Sequence, residues 1–514
     1  MIRRLHLDDW RAIAHYLGML MLICAVAMVV PFTVGIVLGE YDAAVDFMLS
    51  IGISATLGGL LVMCRIERGT LDWNQSIVIT GLVWVVLSAV GAIPLSLSGS
   101  YVSYLDAFFD AVSAFTTTGL STCADLDHMA TCMVLWRSIM CLAGCVGVIV
   151  IALALGVFGS GSAAAALYHA EAREGQVMPE IQQTSRFILA LAVTVVTAGT
   201  LVTFVPLVLS GFDAGSALVN AFIVTVASFS TGGMTNHSLG LMYYHSWPLE
   251  FMTVLLAAFG CVNFVLFGNM WRKGDVRAFF KDIEVRTFVI WGLALATLLA
   301  LALAGNSYFG SLSSELRRGT YLMLSGTFNI GLSTMFAGQA RYALGSGALF
   351  VVILSMIVAG SSSSASGGLK TFRIGIIAKG VVQTVREAIS PDRARPRSFY
   401  YHHGRQRLDS DTVSLALLIV LLYVATYCVG AIVGIVYGYD PISAIFESVS
   451  AASNTGLSIG IASSSMPVGL EIVYIFEMWL GRLEFITFFA MLVEIVPALL
   501  PRKRSRRSRA KGRS

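Results

Sequence analysis

Thr116-Thr117-Thr118-Gly119-Leu120-Ser121 closes a short apolar segment, and three later stretches repeat its cadence: Ser230-Thr231-Gly232-Gly233-Met234-Thr235, Phe328-Asn329-Ile330-Gly331-Leu332-Ser333 and Ser453-Asn454-Thr455-Gly456-Leu457-Ser458. Aligned without gaps, they place Gly at one position, Leu or Met next, and Ser or Thr after that. Glycine after an apolar helix is a common stop, so one such phrase would mean only a helix cap. Four in phase, each between a short and a long apolar segment, point instead to one unit written four times: long helix, short helix, glycine loop, long helix. The short segments Tyr104 to Phe115, Gly215 to Phe229, Leu316 to Thr327 and Pro441 to Ala452 cannot cross a bilayer and suit re-entrant helices. Asp110 and Glu447 occupy equivalent places ahead of the glycine in the first and last units, a mark of common ancestry that the middle two lack.

Of the 514 residues, 56% are hydrophobic and only 12% charged, which excludes an ordinary soluble domain and implies a polytopic membrane protein. Apolar stretches long enough to cross lie at about 16–39, 45–64, 76–98, 130–157, 186–210, 248–270, 288–305, 347–383, 412–437 and 469–498. Basic residues cluster at Arg3, Arg4 and Arg11, at Arg65 and Arg68, and over 173–186, 272–286, 370–407 and 502–513. If alternate loops face the cytoplasm, all these clusters fall on that side, so both termini are expected inside. Glu40, Asp42, Asp106, Asp110, Asp125 and Asp127 then fall in outer loops. The first apolar stretch is too long for a cleavable leader and is expected to remain as a membrane helix. The cysteines show no zinc spacing; Cys123 and Cys132 bracket a predicted outer loop where either a disulfide or two free thiols is chemically permitted.

The expected fold is therefore an all-α polytopic membrane protein with a pseudo-fourfold arrangement around one pore. Its parts are an N-terminal transmembrane hairpin (1–70), pore repeats at 71–175, 176–283, 284–400 and 401–500, and a basic cytoplasmic tail (501–514). The tail is expected to lie on anionic lipid headgroups, and no nucleic-acid partner is expected.

A cation entering a pore exchanges its water shell for oxygen ligands, which rings of backbone carbonyls can supply. Aiming successive carbonyls inward drives some residues to positive φ, which Gly adopts without steric cost. Gly119, Gly233, Gly331 and Gly456 are thus the candidate filter positions, with the residues before them, Thr117 and Thr118, Thr231 and Gly232, Asn329 and Ile330, and Asn454 and Thr455, presenting carbonyls. These side chains are uncharged, which favours dehydration of a monovalent ion over trapping of a divalent one. The re-entrant helices would point their negative C-terminal ends at the cavity.

Within 347–383, Gly360-Ser361-Ser362-Ser363-Ser364-Ala365-Ser366-Gly367-Gly368 interrupts the apolar run after a segment too short for a full crossing. The break therefore lies inside the membrane and reads as a mobile gate, the alternative being a flexible linker. Arg482, in the last apolar stretch, either pairs with Glu484 or Glu477 or puts a positive charge beside the permeation path. Lys370, directly after the loop, is a similar candidate or marks a helix end.

Phe115-Thr116-Thr117-Thr118-Gly119, Asn329-Ile330-Gly331-Leu332-Ser333, Ala452-Ser453-Asn454-Thr455-Gly456, Gly367-Gly368-Leu369-Lys370, Gly481-Arg482-Leu483-Glu484 and Asp282-Ile283-Glu284-Val285-Arg286 resemble the Trk/Ktr/HKT superfamily of potassium transporters, in its TrkH/TrkG branch. The resemblance spans about residues 10 to 500. It implies potassium uptake across the cytoplasmic (inner) membrane, driven by membrane potential, with K⁺ as the transported ion and no organic cofactor in this chain. It also implies a homodimer with one pore per subunit and a cytoplasmic TrkA-like regulatory ring of Rossmann-type subunits that bind nucleotide. By the same match, 360–368 is the intramembrane loop, Arg482 the cation near the pore, and Gly119 a mark of potassium rather than sodium preference. Ser362, Ser363 and Ser364 stand where the family's loop is usually richer in glycine, and Gly232 replaces a commoner hydroxyl or apolar residue.

Two other readings compete. A sodium-permeable or proton- or sodium-coupled transporter of the same fold would use buried acids such as Glu477, Glu484 and Glu494. An intramembrane serine hydrolase would need a base beside a loop serine. The histidines, His6, His15, His128, His169, His237, His245, His402 and His403, all read as lying in loops or at helix ends, which leaves Ser366 with Lys370 as the remaining pair.

Overall fold

The computed structural model describes residues 6–64, 72–158, 181–304, 312–390, 398–402 and 404–499. The tail 501–514, the cluster at Arg65 and Arg68, Arg3 and Arg4, His169, His403, and the expected divisions at 70/71 and 175/176 lie outside them.

The chain opens with a hairpin, α1 (Leu7–Leu38) and α2 (Tyr41–Val62), turned at Gly39 with φ 77°. His15 is no helix-end residue: it lies inside α1 and its Nδ1 is 2.8 Å from the Val62 carbonyl oxygen. The first unit is α3 (Trp73–Leu97), the short α4 (Tyr104–Phe115) and α5 (Thr131–Phe158). The second is α6 (Ile181–Leu209), the short α7 (Ala214–Phe229), α8 (Trp247–Cys261) and α9 (Phe264–Lys273). After α10 (Val276–Lys281) come α11 (Ile283–Leu303), the short α12 (Leu312–Thr327), α13 (Ala337–Ala343), α14 (Gly345–Ile357) and α15 (Thr371–Ile389). The last unit is α16 (Ser410–Val436), the short α17 (Pro441–Ala452), α18 (Val468–Leu483) and α19 (Ile486–Leu499). A two-stranded hairpin, Phe399–Tyr401 with Arg405–Arg407, precedes α16, so a division at 400/401 would cut a strand.

Three of the short helices are started by a local signal. Ser103 caps α4 by accepting from the Asp106 amide at 3.2 Å, while Asp106 accepts in return from the Ser103 amide at 2.9 Å. Asp213 caps α7 and Asp440 caps α17 in the same way, satisfying amides that have no partner inside the helix.

Among the described residues six helices are long and apolar enough to cross a membrane, seven if one bent pair counts as a single span. Two expected continuous spans are broken. The stretch 248–270 turns by 93° between α8 and α9, where Val262 leaves helical geometry and Asn263 starts a new helix by accepting the Val265 amide at 3.0 Å. The stretch 469–498 breaks where Glu484 and Phe485 adopt φ of 55° and 58°. Asp106 and Asp110, read as outer-loop acids, belong to α4 and are buried.

The short helices seat against the long ones by backbone contact. A Cβ on Gly144 of α5, Gly260 of α8 or Gly481 of α18 would lie 2.1 Å from the carbonyl oxygen of Phe115, Phe229 or Ala452, respectively. Each carbonyl belongs to a short helix's C-terminal residue, so three units dock their short helix through a glycine on the following long helix. In the third unit the small residue is on the short helix instead: a Cβ on Gly326 would meet Ser355 Oγ at 2.1 Å. Small residues of this kind let helix backbones approach in an apolar medium where the hydrophobic effect does not drive them together. Gly481→Val should therefore displace α17 and cost about 3 kcal/mol from overpacking, read as a lowered thermal unfolding midpoint in detergent, whereas Val at the open Gly52 should leave that midpoint unchanged.

Candidate functional site

The four short helices end at one place. Directly after them Thr117, Thr231, Asn329 and Asn454 all take left-handed φ, at 56°, 53°, 50° and 54°, and two residues later Gly119, Gly233, Gly331 and Gly456 do so again at 96°, 57°, 77° and 83°. One backbone path is thus traced four times. A Cβ on Gly119 would lie 2.5 Å from the Gly232 carbonyl oxygen, on Gly233 2.6 Å from that of Ile330, on Gly331 2.5 Å from that of Thr455, and on Gly456 1.9 Å from that of Thr118. The contacts close a ring in chain order, and every candidate filter residue named from the sequence lies on it. Glycine is required twice over, by its torsion and by its neighbour's oxygen.

Side chains tie the ring's arcs together. Asn329 Nδ2 donates to the Ser453 carbonyl at 2.8 Å, and Asn454 Nδ2 donates to Thr118 Oγ1 and to the Met478 carbonyl, both at 2.9 Å. Ser113 Oγ accepts the Gly119 amide at 3.0 Å, and Ser325 Oγ donates to the Leu332 carbonyl at 2.6 Å.

The charged residues stand behind the ring. Asp110 accepts from Arg137 Nε at 2.7 Å, Arg137 Nη2 at 3.2 Å and Tyr101 OH at 2.8 Å. Arg137 also holds Ser121 Oγ at 3.0 Å and the Thr235 carbonyl at 3.1 Å, joining the exit strands of the first two units. Glu447 accepts from Ser458 Oγ at 2.6 Å and from the Ala462 and Ile459 amides at 2.8 and 3.1 Å, so the two equivalent acids brace their loops by different bonds. Arg137 was not singled out from the sequence; an arginine within the apolar run of α5 was the available signal. At the mouth, His237 stacks on Tyr243 and approaches Asp127 at 2.9 Å. Burial acts to raise Asp127's pKa, but the hydrogen bonds from His237 and Ser238 outweigh it and hold that carboxyl below its ordinary value. Cys123 and Cys132 are both free thiols.

The second candidate element, 360–368, is a defined structure rather than a loose linker. Val358–Ala359 and Leu369–Lys370 pair as a parallel ladder that closes its neck. A Cβ on Gly367 would strike Asn454 Oδ1 at 2.4 Å, and one on Gly368 the Ser453 carbonyl at 2.9 Å, so the loop lies against the ring. Gly360 packs on Cys261 and Ser366, and Ser364 Oγ bonds to the Ser361 carbonyl at 2.5 Å and to Ser366 Oγ at 2.9 Å. Arg482 reaches both parts: its guanidinium donates to the Ala365 carbonyl at 2.9 Å, the Gly144 carbonyl at 2.7 Å and Thr117 Oγ1 at 3.4 Å, with Trp84 beneath it. Of the two readings left open for Arg482, the hydrogen-bonded pairing with Glu484 or Glu477 is not made. Glu484 pairs with Arg373, and Glu477 accepts from Ser448 Oγ at 2.8 Å. Three oxygens from three elements orient Arg482 without neutralising it.

Lys370 is buried, and its Nζ donates to the main-chain oxygen of Ser366, not to the hydroxyl, so the nucleophile–base pair of a hydrolase is not formed. Asp282, Glu284 and His402 bring possible metal-ligand atoms within 4.8 Å of one another. All three are engaged: Asp282 Oδ1 accepts the Glu284 amide at 2.9 Å and faces His402 Nδ1 at 3.3 Å, while Glu284 accepts from the Ser362 amide and Asn263.

The family profile described as TrkH, cation transport protein, matches residues 43–498. The chain belongs to the TrkH family. The Trk system potassium uptake protein TrkH of Escherichia coli K12 is 26% identical over 95% of this chain and 99% of its own length. An uncharacterized cation transporter of Methanocaldococcus jannaschii is likewise 26% identical, over 96% of this chain and 98% of its own. The crystal structure of the potassium transporter TrkH from Vibrio parahaemolyticus superposes with a TM-score of 0.79 at 22% identity, covering 94% of this chain and 98% of that one. The all-helical multi-span TrkH fold expected from the sequence is thus the fold observed, and the chain is a cation transporter, not an enzyme.

The buried pair behind the ring makes a direct test. Asp110→Ala strands a buried guanidinium and should cost about 3–5 kcal/mol, while the double variant Asp110→Leu with Arg137→Met should lose much less. Thermal unfolding of the wild type, Asp110→Ala and the double variant reads the difference; a double variant no more stable than Asp110→Ala would show that the pair does not act as a unit.

Proposed function

We propose that this TrkH-family chain carries potassium into the cell across the cytoplasmic membrane. The driving force is the membrane potential, the filter is the carbonyls at Thr117–Gly119, Thr231–Gly233, Asn329–Gly331 and Asn454–Gly456, and the gate is Gly360–Gly368 with Lys370 and Arg482. The observation that carries the reading is the closed ring of four glycine loops, each at the C-terminal end of a short helix. Buried carbonyls in such a ring need either water or a cation, and no side chain of the ring carries charge to trap a divalent ion. The helix ends add negative potential at the same place. The hairpin and four pore repeats are the organisation this reading requires, with both termini in the cytoplasm.

The gate assignment draws support from the loop's seat against Asn454 and Ser453 and from Arg482, whose hydrogen bonds touch both the loop and the first ring strand. An arginine hydrogen-bonded to neutral oxygens rather than to a carboxylate stands as a positive charge near the path, which weakens a bound cation's hold and favours its release. A homodimer served by a cytoplasmic nucleotide-binding ring of Rossmann-type subunits is part of this proposal through the family resemblance, and the relatives' names, which place them in a Trk system for potassium uptake, agree with a chain that works with partners.

Ion flux into liposomes of purified protein tests the reading. Under imposed voltage, potassium influx should exceed sodium influx and should not respond to a proton or sodium gradient; flux that follows either gradient would establish coupling instead. Gly119→Ser places a Cβ against the Gly232 carbonyl oxygen and should lower the potassium-to-sodium ratio by about tenfold or more. An unchanged ratio would remove Gly119 from the filter.

A further inference from the structure

The loop 360–368 has backbone amides and carbonyls to satisfy inside the protein, and it satisfies four of them on one wall. Ser361 and Ala365 donate their amides to the carbonyls of Cys261 and Gly260, both at 2.9 Å, and the Ser363 carbonyl accepts the Phe264 amide at 3.3 Å. These three partners exist because α8 breaks there: a helix end leaves carbonyls with no donor four residues on, and a helix start leaves free amides. The fourth bond is of another kind. The Ser362 amide donates to Glu284 Oε1 at 2.8 Å, a bond to a side-chain acceptor that is itself fully buried.

Glu284 is placed by two fixed points. Its second oxygen accepts Asn263 Nδ2 at 3.3 Å, and Asn263 is the cap that starts α9 at the break. Its own amide donates to Asp282 Oδ1 at 2.9 Å, and that same oxygen faces His402 Nδ1 at 3.3 Å. His402 follows the strand Phe399–Tyr401, and Tyr400 and His402 both pack on Phe372 of α15, the helix that leaves the loop. A displacement of the hairpin therefore moves the acid that holds the loop.

We infer that Glu284 is the latch of the gate, a positioning residue that keeps Gly360–Gly368 closed and whose seat is set by the Phe399–Arg407 hairpin through His402 and Asp282. The inference rests on the reading of that loop as the gate. Removing the carboxylate leaves the Ser362 amide buried without its acceptor in the closed state only, which shifts the population toward open loops.

The test is basal potassium flux of the full chain in liposomes, with no partner added. Glu284→Ala should raise it by about tenfold. Glu284→Gln, which keeps a neutral acceptor, should raise it by only about two- to threefold. The potassium-to-sodium ratio should stay unchanged in both, since a latch acts on gating and a filter residue acts on selection. His402→Phe should raise basal flux, and adding it to Glu284→Ala should bring no further rise, because both act through one bond. Wild-type basal flux in Glu284→Ala and Glu284→Gln, or an altered selectivity ratio, overturns the latch; if Glu284→Ala does not elute as folded protein, Glu284→Gln alone decides. Deletion of Ser361–Ser364 separates the two readings. Raised flux there with silent Glu284 variants leaves the gate and removes the latch, while no rise there removes the gate and the latch with it.

Discussion

Four backbones pass one another so closely at the ring that a single methyl on any of Gly119, Gly233, Gly331 or Gly456 would overlap its neighbour's carbonyl oxygen. That approach organises much of what surrounds it. Carbonyls brought together in a protein interior must be satisfied, and their mutual repulsion has to be opposed by bonds that hold each strand from outside. The structure supplies those bonds as short local contacts: Ser113 and Ser325 behind the first and third strands, and Asn329 and Asn454 bridging to the next unit. The docking glycines Gly144, Gly260 and Gly481 extend the same logic outward, because a short helix must sit deep against the long one for its last carbonyl to arrive at the ring.

The placement of charge follows from the same requirement. A carboxylate lining the ring would hold a cation too well to release it, and the acids of the first and last short helices instead turn away. Asp110 is consumed by Arg137 and Tyr101, and Glu447 by a hydroxyl and backbone amides. Both act at a distance on the strands they brace. Among the described residues the guanidinium bonded to a ring side chain is that of Arg482, whose hydrogen bonds all go to neutral oxygens, which fixes its position at the boundary between ring and loop.

What could be read in the sequence and what could not divides along a physical line. The ring was legible because its constraint acts on residue type: only glycine survives the torsion and the clash, and it recurs in phase four times. The short helices were legible from their length, too short for a crossing; the caps that start them, such as Ser103 and Asp440, became apparent only in the structure. The breaks at Val262 and at Glu484–Phe485 were not, since apolar residues flank both and a left-handed pair without glycine has no compositional mark. Asn263 after an apolar run was the faint signal of the first. The two readings of Arg482, a pair with Glu484 or Glu477 or a charge beside the path, could not be separated in the sequence, because what decides is the end of α18, which turns Glu484 toward Arg373. Arg137 and the docking glycines escaped notice because their partners lie on other elements, and nothing local distinguishes them from any other arginine or glycine in a long helix.

The fourfold repetition holds at the ring and fails at the loop, and the failure is informative. Among the described residues the second long helix is interrupted in the second, third and fourth units, but each interruption does something different. In the third it expands into the loop itself, closed at its neck by the ladder of Val358–Ala359 with Leu369–Lys370. In the second it supplies unpaired backbone groups, and in the fourth it places Arg482 two residues before the left-handed pair. A helix break is costly in a membrane unless its freed groups find partners. Here the breaks of two units become mutually complementary, the carbonyls of Gly260 and Cys261 meeting the amides of Ala365 and Ser361. Neither interruption would be stable facing lipid, so the two are best explained as one device: a loop contributed by one unit and a socket contributed by its neighbour, set against a ring that all four units share.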